Sequence, residues 1–148
     1  MPRIRSCKTD QRGSTLVEFA IGATVFLMAM FAVLEFGRAL WVHNALADAA
    51  RRGARYAVLH SSADAAQVRN VVVFGDPLGG SQPVVNNLGT SNVVVDYSTF
   101  GLNKGSVSVS ITAYQFQFVI PLIGTTIQMP SYTTTLTAES AGFIPGNM

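Results

Sequence analysis

Few residues in this chain are of types that do chemistry. It offers two histidines (His43 and His60), a single cysteine (Cys7) and eight acids among 148 residues. The histidines stand seventeen positions apart with no cysteine or acid cluster around them, which is a poor ligand set for a metal. Gly79-Gly80 follows no strand-to-helix phosphate signature and reads as a turn. The many Ser and Thr residues alternate with apolar ones and lack a positioned His–acid pair. No nucleophile elbow, catalytic carboxylate pair or nucleotide loop emerges. The expectation is a protein that is not an enzyme and carries no cofactor and no metal. One residue stands apart. Glu18 is a lone carboxylate near the start of an otherwise uncharged stretch, Phe19 to Leu34. A charge inside a membrane helix costs at least about 2.5–3.5 kcal/mol, so such an acid marks a functional site by default.

The element that must position Glu18 is a helix. Residues 14–34 cover about 30 Å at ~1.5 Å per residue, the thickness of a hydrocarbon core. A signal peptide has a shorter apolar region followed promptly by small residues; here Glu35 and Arg38 come before any such site. The pattern also continues beyond the apolar run. Residues 35–60 contain no Pro and are rich in good helix formers. Val42, Leu46, Ala49, Gly53, Ala57 and His60 recur at three- and four-residue steps as a largely small, apolar stripe. Asp48 stands three and four positions before Arg51 and Arg52, which allows pairing along the helix. The spacing predicts one long helix over residues 14–60, with residues 14–34 in the membrane and 35–60 projecting from it.

Charge sets its direction. The leader, residues 1–13, carries Arg3, Arg5, Lys8 and Arg12 against Asp10, a net +3, whereas the remainder sums to −1. Basic flanks stay cytoplasmic, which places the N-terminus inside and everything after Leu34 outside. The basic pI belongs to the leader, so it gives no reason to expect nucleic-acid binding. Cys7 lies in the leader too, so the exported part must hold together without a disulfide. Arg51, Arg52 and Arg55 form either a solvated helix face or a docking face for acids of another subunit. Trp41 suits either the outer interface belt or packing against a sheet.

Residues 61–148 read as a distal α+β region. Ser61, Ser62 and Asp64 can cap a short second helix from Ala63 to Val72. Asp76-Pro77-Leu78-Gly79-Gly80 is a turn cluster. Val93–Tyr97 is a short β-rich run, and residues 106–112 alternate polar and apolar without a break. After Ala113 the phase inverts: Tyr114, Phe116 and Phe118 become the apolar set. A bulge near Ala113, or a strand crossing between packing partners, reconciles the two phases. Residues 119–124 contain Pro121 and read as a turn, and Tyr132 to Glu139 reads as a third strand. The expected fold class is α+β: the long helix, a short second helix, and a three-stranded antiparallel meander packed on the outer half of the long helix.

Arg12-Gly13, Val17-Glu18-Phe19-Ala20, Glu35-Phe36-Gly37-Arg38, Asn44-Ala45 and residues 49–57 (AARRGARYA) together resemble the TadE-like family, pilin-like proteins of tight-adherence (Tad, Flp-type) pilus systems. The resemblance covers about the first 60 residues. Members often carry a Pro within the apolar stretch, where this chain has Ala23-Thr24. The resemblance implies cleavage between Gly13 and Ser14 by a prepilin peptidase of the bacterial inner membrane. Ser14 then becomes the new N-terminus, Glu18 the fifth residue and Phe19 the sixth. Glu18 would pair with the freed amine of a neighbouring subunit, offsetting the cost of an unpaired buried carboxylate. The partners so implied are the peptidase, other pilins or pseudopilins, the assembly platform and membrane lipid. The rival reading is an uncleaved single-pass membrane protein whose distal domain binds an envelope partner or ligand.

Overall fold

The computed structural model describes residues 11–101, 104–119 and 126–137. Helix α1 is continuous from Gln11 to Val58. The chain divides into two compact units, the first ending at Gly37 and the second starting at Arg38.

The described part of the first unit is the apolar portion of α1. Its large side chains lie open: Phe19 is 74% exposed, Phe26 67% and Val33 71%. This helix is long and apolar enough to cross a membrane, and its most apolar window is 0% buried. Thr24 hides its own polarity by donating its hydroxyl to the Ala20 carbonyl one turn back, at 2.8 Å, which suits a helix in an apolar solvent.

The second unit has a core. Val42, Leu46, Ala49, Ala50, Ala54, Ala57 and Val58 of α1 are buried. They pack in one cluster with Val68, Val72 and Val73 of helix α2 (Ala65–Phe74) and with the inward face of a sheet. No polar side chain among the described residues is fully buried, so apolar contact holds this unit together. The predicted stripe is thus the buried face. His60 falls outside the helix, which ends at Val58 on a tightened turn, Leu59 N–H to Tyr56 O and His60 N–H to Ala57 O, both 3.2 Å.

Helix α2 starts two residues later than Ala63. Ser62–Asp64 form a 3-10 turn instead. The Asp64 carboxylate accepts from the Ser61 N–H (3.3 Å) and hydroxyl (3.0 Å), which holds that turn closed. Gly75 ends α2 in the left-handed region, φ 80°, a position suited to glycine. In the following loop, Val85 and Leu88 return to the core.

Strands β1 (Val93–Gly101), β2 (Lys104–Ile111) and β5 (Tyr132–Thr137) form an antiparallel sheet in the order β1-β2-β5. Val93, Ile111 and Tyr132 align across it, as do Val95, Val109 and Thr134. The other face is hydroxylated: Ser110 meets Thr133 at 2.8 Å and Ser108 meets Thr135 at 3.2 Å. A plain meander is not what forms. Between β2 and β5 the chain enters a second sheet, β3 (Gln115–Gln117) against β4 (Thr126–Gln128). The phase inversion is therefore a change of sheet. It turns at Ala113, φ 55°, where Asn92 donates to the Thr112 and Ala113 carbonyls at 3.2 and 3.3 Å. The predicted turn at Pro121, and the end of the third strand at Glu139, lie outside the described residues.

Gly53 sits where α1 meets α2 and β2. A Cβ there would collide with Val72 Cγ2 and stand 3.3 Å from Val109 Cγ1. Gly53→Ala is therefore expected to destabilise the protein by about 1–3 kcal/mol, the usual cost of overpacking. Val72→Ala in the same chain is expected to recover part of that. Gly37→Ala meets open space and is expected to be neutral or stabilising, as Ala is the better helix former. Thermal melts of the detergent-solubilised chain check all three.

Candidate functional site

The residues predicted to matter fall into three places. Gly13, Ser14, Glu18 and Phe19 lie on the first turns of α1, all exposed. No described residue forms an ion pair with Glu18.

Arg51, Arg52 and Arg55 lie on α1 within the second unit. They are not equivalent. Arg52 pairs with Asp48 at 3.7 Å, one turn back, and is half-buried. Arg51 and Arg55 are exposed, four positions apart on one face. The structure therefore leaves two of the three outward-facing.

The histidines hold structure. His43 Nδ1 meets the Tyr132 hydroxyl at 2.7 Å, with the rings edge-on, and so ties α1 to β5. His60 stacks on Tyr56 at 3.8 Å, and its Nδ1 lies 2.8 Å from the Tyr56 carbonyl. Among the described residues, no group of His, Cys, Asp and Glu could hold a metal ion.

A feature absent from the sequence reading is a cavity of about 220 Å³ in the second unit. Its floor includes Tyr114 and Phe116, and its rim includes Arg38, Trp41, Asn86, Asn87, Phe118 and Val119. Arg38 lies over the Phe116 ring at 4.6 Å and donates from Nη2 to the Gln117 carbonyl. This cation–π contact clamps β3 to the start of the unit. Tyr114 donates its hydroxyl to the Asn86 carbonyl at 2.8 Å, which anchors the loop that carries both asparagines. Asn87 adopts φ 65°, a conformation Asn tolerates better than most side chains. Trp41 is 60% exposed at the rim and does not pack into the core. Arg38 belonged to a recognisable motif, but its partners lie about eighty positions away, and no local pattern signals them.

Three tyrosines in this unit are shifted in one direction. Burial pushes the hydroxyls of Tyr97, Tyr114 and Tyr132 above their ordinary value of 10.0. The Asp64 charge adds to the rise at Tyr97, and Arg38 partly offsets it at Tyr114.

Residues 13–55 match the family model of TadE-like proteins. The match covers under a third of the chain and falls on the segment that carried the resemblance. No curated protein and no solved structure gives a significant match. The chain is an α+β protein with a TadE-like N-terminal segment on a helix long and apolar enough to cross a membrane.

The tyrosine shifts predict a pH dependence. The folded chain holds these phenol protons above pH 10, where the unfolded chain releases them. Stability is then full below about pH 10 and declines as pH rises through the folded-state values. Tyr114→Phe is expected to lower the neutral-pH stability by about 1 kcal/mol, through its lost hydrogen bond, and to flatten the alkaline decline. Denaturant titrations between neutral and strongly alkaline pH measure both effects.

Proposed function

We propose that this protein is a minor pilin-like subunit (a pseudopilin) that takes part in assembling a Tad-type pilus for surface adherence. The observation that carries the reading is the coincidence of the TadE-like match at residues 13–55 with an apolar helix whose side chains the described residues leave uncovered. In this reading residues 14–34 cross the bacterial inner membrane, with the basic leader in the cytoplasm. A prepilin peptidase cuts after Gly13, where the missing side chain lets an extended backbone enter a protease cleft. The freed Ser14 amine of one subunit then neutralises Glu18 of a neighbour, while Phe19 packs beside it. The role is structural: α1 associates with other pilin helices, and the second unit meets assembly partners. Arg51 and Arg55 are the docking candidates, because Arg52 is held by Asp48.

Gly13→Leu is expected to leave the precursor uncut, giving a chain that retains the leader on N-terminal sequencing. Glu18→Ala is expected to be cut normally, beginning at Ser14, yet to be lost from pilus assembly. Normal piliation with Glu18→Ala would remove the pairing role, and a native chain that keeps Cys7 would favour the uncleaved anchor.

Reversing Arg51 and Arg55 together to Glu is expected to weaken co-purification with assembly partners by about tenfold or more. Like charges facing one another across an interface cost several kcal/mol. Unchanged co-purification would leave these arginines as a solvated face.

A further inference from the structure

We propose that the cavity at Arg38 binds the phosphate of an anionic phospholipid headgroup from the outer leaflet of the same membrane. The proposal rests on residues 14–34 crossing the bilayer. Three observations carry it. The first is position. Arg38 lies four residues past Leu34, and four residues reach at most about 14 Å in any conformation. Arg38 is therefore kept within that distance of the end of the apolar stretch by the chain itself.

The second is chemistry. The rim brings together a guanidinium (Arg38) and the residues Asn86 and Asn87, and no acid among the described residues lines it. A guanidinium matches phosphate oxygens in geometry and charge, and carboxamide N–H groups add neutral donors. Arg38 is fixed beforehand by Phe116 and the Gln117 carbonyl, so little rotamer freedom remains to be lost on binding. A volume of about 220 Å³ holds roughly seven waters at about 30 Å³ each. That is room for a phosphodiester, with the acyl chains left outside.

The third is the rim's apolar side. Trp41 is 60% exposed and Val119 71%, with Phe118 beside them lining the cavity. Leu40, next to Trp41 in sequence, is 48% exposed. An exposed Trp beside an Arg is the composition of a membrane–water interface, where an amphipathic ring and a snorkelling cation both find partners.

Trp41 is the only tryptophan, so its emission reports on this cavity directly. The full chain is placed in phosphatidylcholine nanodiscs with a rising fraction of phosphatidylglycerol. Trp41 emission is expected to shift saturably with that fraction. Arg38→Gln is expected to raise the midpoint by about tenfold or more, the usual worth of a charged hydrogen bond. Asn87→Asp, which suits the same left-handed backbone and sets a carboxylate at the rim, is expected to do the same. Arg69→Gln, an exposed arginine on α2, is expected to titrate like the native chain. An unchanged midpoint in either cavity variant, with a native circular dichroism spectrum, overturns the proposal. A second arm adds free glycerol phosphate to pure phosphatidylcholine discs. The same emission shift there, with the same dependence on Arg38, assigns the cavity to soluble phosphates and overturns the lipid source. Failure of the chain to enter the discs at all would overturn the proposal and the membrane reading together.

Discussion

Among the described residues, nothing covers the apolar side chains of residues 14–34. Leu16, Val17, Phe19, Ile21, Val25 and Phe26 are each more than half exposed, a surface far beyond the scattered apolar residues that monomeric soluble proteins tolerate. The helix is long and apolar enough to cross a membrane, and in the proposed function lipid or other helices would supply the missing contact. Among lipid tails alone there is no hydrophobic gain from helix association, so pairing relies on close packing and polar contacts. Glu18 is the one charge within that stretch. In the proposed assembly Glu18 would demand a cation from a neighbouring subunit, whereas Thr24 is satisfied inside its own helix. An assembly in which each subunit supplies both an amine and a carboxylate meets that demand at every interface.

Within the second unit the same helix works under the opposite rule. Small residues on one side of α1 let α2 and the sheet approach closely, and the core closes without a buried polar side chain among the described residues. Gly53 is the tightest of the glycines, lying against both α2 and β2. The polar contacts lie at the margins of that core: Arg38 on Phe116, His43 on Tyr132, Tyr114 on Asn86. They fix which loops and strands stand beside α1. They also shape the cavity that Arg38 and Tyr114 line.

Local periodicity made much of this legible. The step of three and four from Val42 to Ala57 named the buried face of α1, and the unbroken alternation of residues 106–111 named β2. The phase change after Ala113 announced a change of partner, and two sheets are its cause. Other features left no local trace. Strand β4 is three residues long, too short to carry a period, and exists because β3 needs a neighbour. The start of α2 moved because the Asp64 carboxylate turns back to Ser61, an exchange its sequence permits but does not require. Arg38 stood in plain view within the family-like motif. Its cavity depends on Asn86, Tyr114 and Phe116, which only the tertiary fold brings to it.

The most direct test of the central claim is zero-length carbodiimide cross-linking of piliated cells that co-express light- and heavy-isotope copies of the chain. Mass spectrometry of the digested envelope fraction then reads which groups were joined. The account predicts mixed-isotope peptides in which the Ser14 amine of one copy, or of a sibling pilin's equivalent residue, is bonded to the Glu18 carboxylate of another. Recovery only of peptides that still contain the intact leader, with Glu18 joined to no amine, would contradict it.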